Sequence, residues 1–118
     1  MRVNSPANPG YSLPDEFAQQ VGQALKSMID GTCLSFTCDG KPRVVEVHAI
    51  GLSSKDNGLV IRAFQVAGGA SRPLPAWSLF RVDRMSDVVV TPRAHEGPRD
   101  GYRQGDSQMA PVLFELEI

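Results

Sequence analysis

The spacing of the hydrophobic residues changes once along this chain, and that change limits what it can fold into. Phe17, Val21, Leu25, Met28 and Ile29 recur every three or four positions, forming one apolar stripe on a helix. From Cys33 onward apolar and polar residues alternate, as in a strand whose successive side chains point to opposite faces. Parallel strands need a crossover between them, usually a helix. A single helix followed only by strands therefore specifies an α+β chain, mainly β, with an antiparallel sheet.

The helix is expected within "SLPDEFAQQVGQALKSMIDG", with Ser12 capping its first turn, Pro14 tolerated that early, and Gly31 stopping it. Strands follow in "CLSFTC", "RVVEVHAIGL", "LVIRAFQV", "WSLFRV" and "DVVVT". Asp39-Gly40 and Asn57-Gly58 supply hairpin turns, and "AGGASRPLPA" is a loop. In the second strand Val45, Val47 and Ala49 fall on one face, and Val44, Glu46, His48 and Ile50 on the other. Residues 92–108 read as a long polar excursion. Val112, Phe114, Leu116 and Ile118 then alternate in an edge-type strand whose apolar face has to be covered, by this chain or by a neighbour.

About five short strands with one apolar face most economically close into a small barrel, with the helix capping one open end. Residues 1–12, rich in Asn, Pro, Gly and Ser, form a mobile lead-in, and 13–118 form a single domain.

Net charge excludes one class of function. At −1 the chain is no uniformly basic nucleic-acid coat, so any anion it holds is held at a defined site. No apolar run approaches the ~18 residues of a membrane span. The opening "MRVNSPANPGYSLP" has no signal-peptide apolar core, which makes a reducing cytoplasm the expected compartment. Cys33 and Cys38 do not make a disulfide framework. Together with His48 and His95 they match no compact zinc spacing, and no metal or cofactor is expected.

In "WSLFRVDRM", Arg81 and Arg84 sit close to the expected core. One reading has them pair with Asp83, Asp87 or Glu46 and pin a corner of the sheet. The other has them hold a phosphate, for which the planar guanidinium fork is suited. The chain's lysines are few, Lys26, Lys41 and Lys55, so its positive charge is mostly of this directional kind. His48 reads as a pH-dependent donor or as a partly buried polar residue. Tyr102 offers a stacking face for a base, whereas Trp77 reads better as a core plug at the rim. Ser71 with His48 would be the elements of a hydrolase, but no orienting acid is evident. No nucleophile elbow, metalloprotease helix or P-loop motif is present.

The "F-x-x-D-G" hairpin, "R-V-V-E-V-H", "N-G-L-V-I-R-A-F", the Gly-rich loop and "F-R-V-D-R-M" together resemble the WYL domains of bacterial transcription regulators and phage-defence proteins. The resemblance runs from Thr32 to Thr91, about half the chain. The ending "RDGYRQGDSQMAPVLFELEI" is similar to the tails of short proteins made of a WYL-like domain alone. Leu59, Val60 and Ile61 stand where the Trp-Tyr-Leu triplet would fall, Phe36 replaces the first-strand tyrosine, and there is no helix-turn-helix.

The resemblance implies an Sm-like barrel that binds an anionic ligand, a nucleotide or a short single-stranded nucleic acid, as a sensor or regulatory component. Carried over by motif, the ligand-binding residues are Arg81, Arg84 and His48. Arg62 and Arg72 join them by position, and Tyr102 by its stacking face. The alternative is an interaction protein that self-associates, or docks on a larger partner, through the barrel and final strand. Neither reading requires catalysis.

Overall fold

The computed structural model describes residues 1–6 and 15–118. Its elements are β1 (Val3–Asn4), a 3-10 turn (Asp15–Phe17), α1 (Ala18–Asp30), β2 (Thr32–Cys38), β3 (Lys41–Ser53) and β4 (Leu59–Gly68). These are followed by β5 (Ala76–Arg81), a 3-10 turn (Val82–Arg84), β6 (Met85–Ala94) and β7 (Met109–Leu116). The fold is α+β, mainly β, as its periodicity requires.

α1 ends where expected. Gly31 takes the left-handed conformation (φ 72°), and its N–H donates to the Ser27 carbonyl. Val21, Ala24 and Met28 are buried against β2, β3 and β6, while Ile29 is 61% exposed and lies off the stripe. Ser27 is also buried, and its hydroxyl is satisfied by the Ala24 carbonyl at 2.7 Å. The proposed Ser12 cap and Pro14 lie outside the described residues.

All strand pairs are antiparallel, and the seven strands form one sheet. β3 is its backbone. One edge pairs with β4 over most of its length, while the other edge is shared, residues 41–45 with β2 and residues 49–53 with β7. Between those two pairings lie Glu46, Val47 and His48.

The sheet does not close into the expected barrel. β5 pairs only with β4, and β6 pairs with β2. Between β5 and β6 the chain makes a 3-10 turn that sends Val82 (1% exposed) into the core, and Met85 is buried just after it. Hydrophobic burial at this corner replaces the hydrogen-bonded seam that closure would need.

Three further expectations are corrected. β3 has a bulge: Val47 opposes Ala63 and Ala49 opposes Arg62, which leaves His48 as the extra residue. The face pattern therefore reverses after His48. Val45, Val47, Ile50 and Leu52 share the main core with Phe36, Ile61 and Phe80, while Ala49 joins a small second cluster with Val60 and Met109. β7 is covered on its outer side only at Glu115 and Leu116, by β1, so it stays an edge over most of its length. Its expected apolar face is divided: Leu116 is buried, whereas Ile118 is 82% exposed. Finally, part of the expected mobile lead-in is structured, with Val3 opposite Leu116 and Asn4 opposite Glu115.

Candidate functional site

Directly opposed residues on neighbouring strands share a face. Glu46 opposes Phe64, and Phe64 opposes Trp77, so these three form one rung across β3, β4 and β5 on the face away from the helix. The next rung carries Ala49, Arg62 and Leu79. A carboxylate on a sheet face needs either water or a partner. Here residues 95–108, the part of the expected polar excursion (92–108) that lies beyond β6, fold back over the face and supply the partner.

The Glu46 side chain is 1% exposed and accepts three hydrogen bonds. Arg99 donates from Nε to Oε1 (2.7 Å) and from Nη2 to Oε2 (3.0 Å), and the Glu96 N–H donates to Oε2 (2.8 Å). Burial alone would raise the Glu46 pKa, but these donors outweigh it and hold the carboxyl below its ordinary range. The Arg99 guanidinium also lies 5.0 Å from the centre of the Phe64 ring.

Two histidines complete the attachment. His48 is fully buried; its Nδ1–H donates to the Glu46 carbonyl (2.9 Å), and Nε2 accepts from the Arg99 N–H (3.3 Å). His95 Nε2–H donates to the Val47 carbonyl (2.9 Å), and its Nδ1 accepts from the Gly97 N–H (3.1 Å). A carbonyl can only accept and an amide N–H can only donate, so each ring is neutral and its tautomer is set by its partners. Burial, reinforced by the neighbouring His95, pushes the His48 pKa down to about 4. Burial lowers that of His95 as well.

Beyond this attachment, the loop and the β4–β5 face enclose a pocket of about 420 Å³. Arg62 and Trp77 form its floor, and residues 101–107 form its wall. Both aromatic rings are fixed at their polar ends. Trp77 Nε1–H donates to the Asp100 carbonyl (3.1 Å), and the Tyr102 hydroxyl donates to the Leu116 carbonyl (2.8 Å). The rings lie 6.4 Å apart at 23°. Gly101 passes over Trp77 with φ 89°, and a Cβ there would sit 3.2 Å from the indole nitrogen, so this crossing favours glycine.

Arg62 is braced by Asp106 (Nε–Oδ2 2.7 Å) and Gln108 (Nη2–Oε1 2.7 Å). Arg103 is exposed, and among the described residues it has no ion-pair partner. The pocket thus combines two fixed ring faces, a guanidinium already paired with the Asp106 carboxylate that also lines it, and one uncommitted guanidinium, that of Arg103. No family model matches the chain, and no curated protein or solved structure matches it.

Of the six residues selected from sequence, the structure brings Arg62, Tyr102 and His48 together, with His48 behind the ring wall. The other three lie elsewhere. Arg81 is held by Asp56 (Nη1–Oδ2 2.7 Å) and by Asp83, where Nε and Nη2 each make a 3.2 Å contact. That is the corner-pinning arrangement. Arg84 is exposed and has no ion pair among the described residues. Arg72 donates to the Trp77 carbonyl (2.7 Å) and the Ser78 hydroxyl (2.9 Å), bracing its loop against β5.

Ser71 is exposed in that loop, and both nitrogens of His48 are committed to backbone groups, so neither is set up as half of a catalytic pair. Cys33 and Cys38 are buried free thiols. Among the described residues no three His, Cys, Asp or Glu side chains converge as metal ligands, and no helix is long and apolar enough to cross a membrane. Sequence reasoning passed over Trp77, Arg99 and Arg103. The available signal was "VEVH" itself, because a carboxylate between strand valines needs a cation, and "PRDGYR" contains two, Arg99 and Arg103.

Proposed function

We propose that the protein is a non-catalytic binding module that holds a nucleotide, or one nucleotide of a short single strand, in the pocket between β4–β5 and the 95–108 loop. The observation that carries this reading is the pair of immobilised rings, Trp77 and Tyr102, beside Arg103, which has no ion-pair partner among the described residues. A base stacked on an aromatic side chain gains about 1–3 kcal/mol, and a guanidinium can take a phosphate through two parallel hydrogen bonds. Because the rings' polar ends are used by backbone carbonyls, they offer faces and not base-specific edges. The pocket therefore selects a planar anion and discriminates little among bases.

On this reading the chain is a divergent WYL-like module acting as a sensor or regulatory component. Support comes from the sequence motifs and from the bent antiparallel sheet with a helix across it, an open relative of the Sm-like barrel that the resemblance implies. The interaction reading keeps one observation of its own: Ile118 is 82% exposed, and Phe114 with Met1, Val3, Leu25 and Ile29 lines an apolar hollow beside β7.

Calorimetric titration with a panel of nucleoside monophosphates and short single-stranded oligonucleotides tests the proposal. Binding that weakens with added salt, and that is weaker in Trp77→Ala, is the expected result. Absence of binding across the panel overturns the proposal.

A further inference from the structure

His48 stands behind the aromatic wall of the pocket. Its ring centre is 4.6 Å from that of Trp77, 5.1 Å from Tyr102 and 5.0 Å from His95. It occupies the extra position of the β3 bulge, where that strand passes from its β2 pairing to its β7 pairing. His95 begins the loop that builds the wall, and it is tied to the same stretch of β3 through the Val47 carbonyl.

Both rings bind through a donor on one nitrogen and an acceptor on the other, so both attachments require the neutral form. A proton on His48 Nε2 would face the Arg99 N–H, and one on His95 Nδ1 would face the Gly97 N–H. The charges around them do not favour a cation either. From β3 the facing anion is Glu46, already committed to Arg99 and to the Glu96 N–H. From the loop come the Arg99 guanidinium, the His95 ring facing His48, and the Tyr102 phenol, which burial keeps protonated; His95 in turn faces the His48 ring on β3. β5 contributes the uncharged Trp77. The chain's amino terminus adds a positive field at His95, against which the Glu46 charge acts.

We propose that His48 and His95 form an acid-sensitive latch that seats the 95–108 loop on β3 and thereby regulates the pocket. The consequence for binding rests on the pocket reading above, whereas the latch is a property of the free protein. At neutral pH both rings are uncharged and the loop is seated. As pH falls from about 6.5 toward about 4, the released state takes up protons that the seated state resists. The loop then withdraws Tyr102, Arg103 and Asp106 from the pocket together.

Trp77 is the chain's one tryptophan and touches both His48 and the loop, so its emission reports the latch without any ligand. Emission and far-ultraviolet circular dichroism are followed together from about pH 8 to about pH 4, across the range in which histidine titrates. The expected result is an emission transition with a midpoint between about 4 and 6.5, while the backbone signal stays native. It should be absent from the double variant His48→Gln, His95→Gln. In that variant one glutamine oxygen can accept the Arg99 N–H and the other glutamine's amide can donate to Val47, but neither side chain titrates.

Should the double variant not fold, nuclear magnetic resonance titration of the wild-type imidazoles replaces it, with the same midpoint expected as for Trp77 emission. A transition that persists in the variant, coincides with global unfolding, or differs in midpoint from the imidazoles overturns the latch, as does no transition at all. Adenosine 5′-monophosphate serves as the binding probe, and its own phosphate takes up a proton at about pH 6. The dissociation constant of wild type should therefore rise more steeply than that of the variant, by up to about tenfold per pH unit for each imidazole proton taken up. Failure of this probe to bind at any pH counts against the pocket reading, and the emission result then stands by itself.

Discussion

Glu46 on β3 and Arg99 on the 95–108 loop, 53 residues apart in sequence, meet through two parallel hydrogen bonds of 2.7 and 3.0 Å. The carboxylate is almost wholly buried, and the guanidinium is one-third exposed. Glu46 lies in the interval of β3 that neither β2 nor β7 covers. The ion pair therefore fastens a loop over a gap in the sheet, and the same loop then walls the pocket.

Arg99→Ala strands a buried carboxylate. Breaking one side of a buried pair costs about 3–5 kcal/mol, and the partial exposure of Arg99 places this case near the lower end, about 3 kcal/mol. Chemical denaturation should show that loss, and it should be much smaller in the double variant Glu46→Gln, Arg99→Ala, in which no buried charge remains. Equal losses in both would mean that the carboxylate's charge is not what the loop satisfies.

Stability should fall on the acid side of neutrality. His48 is held at about 4 in the fold against 6.5 when free, so the unfolded chain binds the proton first. Its contribution is complete above about pH 6.5, declines by about 1.4 kcal/mol per pH unit below that, and is exhausted below about 4, on the order of 3 kcal/mol in all. His95 acts in the same direction. Glu46, lowered from the ordinary carboxylate value, has its stabilisation fully present above that value and loses it on further acidification. Denaturation midpoints across this range check the sign, and a stability independent of pH between neutrality and pH 5 would contradict it.

Gly51 opposes Val112 where β7 lies close against β3. A Cβ there would stand 2.7 Å from both the Pro111 carbonyl oxygen and the Met109 sulfur. The thioether can move, but the backbone oxygen cannot without disturbing the β3–β7 pairing. Gly51→Ala should cost about 1–3 kcal/mol, the range for overpacking a filled site. Hydrogen exchange should locate the loosening in β7, and a variant as stable as wild type would show that β7 can shift freely.

Arg81→Ala should leave nucleotide affinity unchanged, because the guanidinium is already shared between Asp56 and Asp83 away from the pocket. Titration of this variant is the check. A marked loss of affinity would move the site to the β5–β6 corner.

Much of the architecture was legible in the residues. The stripe from Val21 to Met28 and the stop at Gly31 gave α1, and Asp39-Gly40 and Asn57-Gly58 gave the hairpins on either side of β3. What could not be read was the bulge at His48, because nothing in an alternating "VEVHAI" marks where the alternation slips. That slip moved Ile50 into the main core and hid the change of pairing partner on β3. The site was half legible for a related reason. Arg62 was placed by position and Tyr102 by its stacking face. Asp83 was visible beside Arg81, but Asp56, 25 residues away, and the loop contacts of Arg72 with Trp77 and Ser78 depend on how the chain turns. Trp77 looked like a core plug, yet it lies on the opposite face of β5 from Phe80, where the loop turns it into a wall of the pocket.

The most direct measurement compares the affinity of wild type, Trp77→Ala, Arg103→Ala and Arg81→Ala for nucleoside monophosphates and a short single-stranded oligonucleotide at neutral pH. The account predicts that wild type and Arg81→Ala bind alike. Trp77→Ala should lose about 1–3 kcal/mol of stacking, and Arg103→Ala should lose affinity together with part of its salt dependence. Binding that survives in Trp77→Ala and Arg103→Ala but disappears in Arg81→Ala would contradict it, as would no binding by any of the four.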